Sequence, residues 1–222
     1  MTTKLFNTLF DEVLSELASV PQPLALNAIR NAAIELCERS MIWTATAASI
    51  NSVANQATYT PIPEANTEII GVLQAWYNGL EIFPKTFAQL EDLLSDPGTT
   101  YIAGTPWTAQ SGIPKYYTVE RPDQIILAPY PLDAITAVIV LKVIQKPTRA
   151  ATGMEQWIMD KYFMELAAGA KSHLCAMPGK PWSSPELVSY YGNKFEQGIV
   201  AASVKSSGTY KLPEMVTAPS PI

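Results

Sequence analysis

The hydrophobic period of this chain changes twice, and that change limits its possible folds more than any single motif does. Near the start, apolar residues recur at helical spacing: Leu5, Leu9, Val13 and Leu17, flanked by Phe6, Phe10 and Leu14. The spacing predicts a helix over 3–18, ended by Pro21 and Pro23. Pro23 also suits the first turn of a second helix, where its missing N–H is not needed. From Leu24 to about Met41 the stripe is Leu26, Ile29, Ala33, Leu36, Cys37 and Ser40, with Arg30, Asn31, Glu35, Glu38 and Arg39 largely off it. That is an amphipathic helix.

After Trp43 the chain reads as strands. Ala57–Pro63 has β-type composition, and its prolines allow an edge strand at most. Ile69–Tyr77 is apolar and β-branched, and Asn78-Gly79 then signals a hairpin returning through Leu80–Phe83. Phe87, Leu90, Leu93 and Leu94 predict a short helix before Asp96-Pro97-Gly98, and Gly98–Gly112 reads as a long loop. Lys115–Glu120, Gln124–Leu127 and Ala134–Ile144 read as three more strands, separated by proline turns.

The helical period returns near Gly153 and predicts one long helix to about Ala176, with small residues Ala167, Ala168, Gly169 and Ala170 in its middle. Ser184 and Pro185 open a last helix, as N-cap and first-turn residue, and Ser207-Gly208 is expected to break it. The expected fold class is α+β. A four-helix bundle is built from 1–43 and 150–207, an antiparallel β-sandwich or barrel at 44–149 is inserted between the two, and 208–222 forms an extended C-terminal arm.

Composition narrows the function. Of 222 residues only 16% are charged, against about 25% in a typical soluble domain, while 48% are hydrophobic. This excludes a disordered polyelectrolyte and fits a chain that hides much of its outside against partners. Lys and Arg total 15 against 20 acids, a net charge of −5, so the basic footprint of a sequence-independent DNA-gripping protein is missing. Cys37 and Cys175 cannot staple a chain of this size and are expected to be reduced core thiols. Asp11, Glu12 and Glu16 interrupt any signal-peptide core, and the longest apolar run, Ala134–Val143, is strand-sized. A soluble protein made in a reducing cytoplasm is expected.

No enzyme motif appears. The chain has no GxxxxGK[ST] phosphate loop, no GxSxG elbow, and a single histidine, His173, expected in a structural or surface role. Glu68, Glu81, Glu91, Asp92, Glu120 and Asp123 could in principle supply a carboxylate pair, but sequence spacing does not pair them, and solvated faces or caps explain them too. No catalytic residue, cofactor or metal site is assigned. Trp43 and Trp157 are expected in the core. Trp107 and Trp182 fall on loops, where tryptophan is unusual unless covered, so both are candidate interface residues; for Trp107 local packing is the competing reading. Beyond the last helix, Tyr210, Leu212, Pro213, Met215 and Val216 form an apolar stretch. It is either a disordered terminus or an arm laid along a partner.

Taken together, four features resemble the head-to-tail adaptor (connector) proteins of short-tailed bacteriophages, including the tail tubular A proteins. They are the helix ending in Cys37-Glu38-Arg39-Ser40-Met41-Ile42-Trp43; Tyr59-Thr60-Pro61-Ile62-Pro63, with Pro-Ile-Pro where the family has Leu-Pro; the Gly79–Pro84 hairpin return followed by a short helix; and Gln124-Ile125-Ile126-Leu127-Ala128-Pro129-Tyr130-Pro131. The resemblance spans about Leu24 to Ser206. It implies a homo-oligomeric ring, usually of twelve copies, between the capsid portal and the tail nozzle or fibres. The helical part and the C-terminal arm would hold the portal, and double-stranded DNA would pass through the lumen without specific binding. It implies a virion neck or tail location, assembly in the host cytoplasm, and no catalysis. The competing class is a glycan- or small-molecule-binding β domain with Trp76 or Trp107 in a cleft, with or without hydrolase activity. A nozzle or fibre-attachment protein is a third, and the helical ends count against it.

Overall fold

The structure, a computed structural model, describes residues 2–95 and 110–209. In chain order these form β1 (Thr3–Leu5), a 3-10 turn (Phe6–Leu9), α1 (Phe10–Leu14), α2 (Gln22–Ser40), β2 (Thr44–Thr46), β3 (Thr58–Tyr59) and β4 (Thr67–Tyr77). There follow β5 (Leu80–Pro84), α3 (Phe87–Ser95), β6 (Ser111–Gly112), β7 (Tyr116–Arg121), β8 (Gln124–Ala128), β9 (Tyr130–Pro131) and β10 (Ile139–Pro147). The chain then gives β11 (Gly153–Glu155), α4 (Gln156–Lys161), α5 (Phe163–Cys175) and α6 (Pro185–Thr209). It divides into two compact units, Met1–Ile42 with Arg149–Ile222, and Trp43–Thr148. The class is α+β, with six α-helices among the described residues and a curled, half-barrel sheet.

In the helical unit α2, α5 and α6 pack on one another pairwise, and the short α1 lies against α2 and α5. The expected four-helix bundle gives way to three long helices, because the N-terminal helix shrinks to Phe10–Leu14. Its expected first turn is instead β1, paired antiparallel with β11 from Thr3↔Glu155 to Leu5↔Gly153. The same pairing pulls residues 153–155 out of the long helix expected over 153–176. A Cβ on Gly153 would sit 2.3 Å from the Lys4 carbonyl oxygen, so this approach of two backbones tolerates only glycine. The remainder is further divided at Tyr162, whose φ of −109° and ψ of 28° separate α4 from α5. Phe6, Leu9 and Val13 nonetheless bury fully, so the helical stripe found its core through a different backbone.

Proline 23 stands in the first turn of α2, and Met41 closes the helix in the left-handed region, its N–H donating to Cys37 O at 3.0 Å. The buried face of α2 is mostly small: Ala25, Ala28, Ala32 and Ala33 beside Ile29, Leu36 and Cys37. Small residues let α5 come close. A Cβ on Gly169 would lie 2.9 Å from the Phe195 ring and 3.0 Å from the Ala32 Cβ, so three helices meet at one hydrogen-sized side chain. α6 starts as expected, with Ser184 Oγ accepting from Leu187 N at 3.4 Å. It runs on through Ser207 and Gly208 to Thr209, past the expected break. Trp157 is another correction: it is 44% exposed on α4 rather than core, whereas Trp43 is buried.

The second unit is built on a seven-stranded sheet in the order β2-β10-β4-β5-β7-β8-β3. Thr58–Tyr59 occupies the edge, where Pro61 and Pro63 need not donate to a ladder. Asn78 and Gly79 both have positive φ (50° and 76°), which is the type I′ geometry their sequence demands. The sheet is not purely antiparallel: β5 and β7 pair parallel through Phe83↔Tyr116 and Pro84↔Tyr117. A parallel pair needs a crossover of a dozen or more residues, and α3 with the segment after it supplies that length. Thr86 and Gln89 start α3 with a reciprocal capping box, Thr86 N donating to Gln89 Oε1 (3.1 Å) and Gln89 N to Thr86 Oγ1 (3.3 Å). Two register shifts between β10 and β4 add bend to the curl. The concave core is Tyr59, Ile69, Tyr77, Ile82, Tyr117, Ile125, Leu127, Ile139 and Leu141. Tyr59 is pinned there, its hydroxyl donating to Gln56 O at 2.9 Å and accepting from Val53 N at 3.1 Å.

Replacing Gly169 with valine is expected to destabilise the protein by about 1–3 kcal/mol through overpacking. Gly192→Ala, where the new Cβ meets only Ser172 Oγ at 3.5 Å, should instead be neutral or gain up to about 1 kcal/mol. Urea unfolding of the two variants checks the contrast.

Candidate functional site

The most organised polar site lies in the helical unit, and the sequence reading did not single it out. Lys171 of α5 is only 3% exposed, yet it carries a charge. Its Nζ donates to Glu16 Oε1 at 2.7 Å and Glu12 Oε1 at 3.2 Å, and lies 5.4 Å from the Tyr191 ring centroid. Tyr191 of α6 donates its hydroxyl to Glu16 Oε2. The cluster therefore ties α1, the turn after it, α5 and α6 to one ammonium. The Lys171 hydrogen bond, and after it the Tyr191 hydroxyl, hold the Glu16 carboxyl below its ordinary value of 4.5. Burial, reinforced by Glu16, pushes the Tyr191 phenol up. Beside the cluster is a cleft of about 230 Å³, with Met164, Tyr190 and Lys194 among its walls. Carboxylates already committed to an ammonium are poor proton shuttles, so the arrangement ties helices together and does not make an acid–base pair. A lysine inside an otherwise apolar helical stripe was the available signal.

A second network crosses the helices at the motif Cys37–Trp43. Arg39 makes a fork on Glu196 of α6, at 2.5 and 2.6 Å, and also reaches Glu35 at 2.9 Å. His173 Nε2 lies 3.2 Å from Glu35 Oε2. His173 is thus structural, as expected. These groups are one-third to one-half exposed, so each pair contributes at most about 1 kcal/mol.

The remaining expected chemistry disperses. Cys37 and Cys175 are free and buried. Burial pushes both thiols up, which makes them inert. Glu68 pairs with Lys146 at 3.5 Å and Glu81 accepts from Gln74 at 3.4 Å, while Glu91, Asp92, Glu120 and Asp123 are exposed. No group of three or more His, Cys, Asp or Glu among the described residues could hold a metal ion. No helix among them is long and apolar enough to cross a membrane. A wider hollow of about 340 Å³ is lined by Thr2, Glu155, Gln156, Trp157 and Asp160. Trp182 sits in the connection between α5 and α6, half-buried, its indole N–H enclosed without a hydrogen-bond partner. Trp107, Tyr210, Leu212, Pro213, Met215 and Val216 lie outside the described residues.

With no reaction centre brought together among the described residues, sequence comparison decides the matter. The family model described as SU10 adaptor protein matches residues 5–214. The chain belongs to the SU10 adaptor protein family. The match takes in both compact units, so it covers the whole architecture and not one motif. This makes the chain a phage adaptor, a structural phage protein, in agreement with the resemblance read from its motifs. No curated protein matches the sequence.

The buried ammonium gives this SU10 adaptor protein an asymmetric response to mutation. Lys171→Met leaves two carboxylates that reach water, and is expected to cost no more than about 1 kcal/mol. Glu12→Ala with Glu16→Ala strands the buried ammonium and should cost about 3 kcal/mol. Because the folded Glu16 value lies below the unfolded one, its contribution is complete above about pH 4.5 and disappears as pH falls through the folded value. The stability gap between wild type and Lys171→Met should therefore close in acid. Thermal unfolding from pH 3 to pH 7 measures it.

Proposed function

We propose that this adaptor is one subunit of a ring, twelve copies in the family's usual form, that joins the capsid portal to the tail nozzle or fibres. The observation carrying this reading is the family match over residues 5–214, which spans the helical unit, the β unit and the start of the tail. Physical features support it. Low charge density suits large contacts between subunits. A net charge of −5 suits a wall past which DNA slides, because phosphate binding requires many basic groups. Trp182, with its enclosed and unpaired indole N–H, is a candidate contact for a neighbouring subunit or tail protein. Tyr210, Leu212, Pro213, Met215 and Val216 are assigned to the portal. Repetition round a ring multiplies a weak arm contact into firm attachment through effective concentration. The work done is assembly, and no bond is made or broken.

Deleting Thr209–Ile222 is expected to leave a folded protein that no longer docks on portal rings. Electron microscopy of mixed components reads this out, and docking undiminished by the deletion would overturn the portal assignment. The pure chain is expected to be monomeric, ordering into a ring only on the portal. Light scattering checks that, and a stable dodecamer in the absence of portal would contradict it.

A further inference from the structure

The turn between β4 and β5 carries a reactivity that its sequence and its surroundings specify together. Asn78 and Gly79 are exposed at the tip of the hairpin, and both lie in the left-handed region, with φ of 50° and 76°. An asparagine Cγ is placed to close a five-membered ring with the backbone nitrogen of the next residue. A side chain on that next residue obstructs the closure, and glycine has none. Nothing stands within 4 Å of the place a Gly79 Cβ would take, so the approach is open. Among the described residues no acceptor meets the Gly79 N–H, and none holds the Asn78 side-chain amide.

Other exposed asparagines lack this combination. Asn55 and Asn66 share the left-handed backbone, with φ of 63° and 62°. Yet Gln56 N donates to Val53 O at 3.2 Å, and Thr67 N donates to Glu64 O at 3.1 Å, so each following amide is already engaged. Asn51 is held twice: its Oδ1 accepts from Ala137 N at 2.7 Å, and Ser52 N donates to Ile135 O at 2.9 Å. Asn27, Asn31 and Asn193 lie within α2 and α6, where the next amide belongs to the helical ladder.

We propose that Asn78-Gly79 is a site of self-modification in the folded protein, converted to aspartate and isoaspartate with water as the only co-reactant. The Gly79 nitrogen gives its proton to solvent base and attacks Asn78 Cγ. The new N–Cγ bond forms as the Cγ–Nδ2 bond breaks, and Nδ2 leaves as ammonia with a proton from solvent. Water then opens the ring. Addition at Cγ gives aspartate on the original main chain. Addition at the backbone carbonyl of Asn78 gives isoaspartate, with the main chain rerouted through the side chain. Aspartate tolerates the left-handed turn. Isoaspartate adds a carbon to a two-residue turn whose flanks, Tyr77 and Leu80, stand opposite each other, so it disturbs the hairpin register.

The test ages the full chain at neutral and at mildly alkaline pH, both native and in urea, and maps it by peptide mass spectrometry. A protein-isoaspartate carboxyl methyltransferase with a labelled methyl donor marks the isoaspartate. In the native chain the peptide holding Asn78 is expected to gain the mass of an NH2-for-OH exchange ahead of those holding Asn55 or Asn66. The gain should be faster at the higher pH, and the peptide should accept the methyl label. Urea frees the Gln56 and Thr67 amides, so conversion at Asn55 and Asn66 should rise there while that at Asn78 changes little. Asn78→Gly, whose Gly-Gly pair also suits the turn, should remove most of the methyl label from native chain. Conversion at Asn78 in urea but not in native chain would overturn the proposal. So would native conversion no faster than at Asn55 or Asn66, or methyl label undiminished by Asn78→Gly.

Discussion

Two stretches of chain separated by more than a hundred residues must meet closely enough to share a core, and Gly169 is where they do. Ala32 of α2 and Phe195 of α6 press on it from two sides. Close packing of this sort gains many weak dispersion contacts at once, and it fails abruptly when one methyl group is added. A similar restriction recurs at Gly198, whose Cβ would lie 2.4 Å from the Glu165 side chain. The helical unit is thus held by fit along α2, α5 and α6, with the Arg39 and Lys171 networks fixing which faces meet. Its exposed ion pairs add little energy, but they penalise a wrong register.

Elements whose pattern is local were legible in the sequence. α2, the β4–β5 hairpin with its Asn-Gly turn, α3, β7, β8 and the start of α6 all follow from spacing, capping or turn chemistry within a dozen residues. The failures share a cause, which is pairing between distant segments. Thr3–Leu5 and Gly153–Glu155 both sit in helical patterns, yet each becomes a strand because the other is there. The parallel β5–β7 pair was likewise invisible, since nothing local distinguishes parallel from antiparallel neighbours. Trp157 followed a helical stripe and was read as core, but the break at Tyr162 separates α4 from α5 and Trp157 ends exposed.

The site was less legible than the fold. Motif searching favours residues that do chemistry, and this chain makes none evident. What organises the polar contacts of the helical unit is Lys171, an ordinary residue in an unusual place, whose position in an apolar helical stripe was its one signal in the sequence. The acids weighed as a reaction pair in the sequence lie instead on the outside of the β unit. There Glu68 pairs with Lys146 and Glu81 accepts from Gln74, while Glu91, Asp92, Glu120 and Asp123 are exposed.

The β unit begins and ends on adjacent strands. Thr44 of β2 stands opposite Ile144 of β10, and Gln145 N donates to Trp43 O at 2.9 Å. Tension pulling those two connections apart would load this ladder at one end, so its bonds would open one after another like a zip and not all together in shear. Only three residue pairs of β2 stand behind the first bond. Under such tension the β2 pairs would yield first, ahead of the nine-pair β10–β4 ladder behind them.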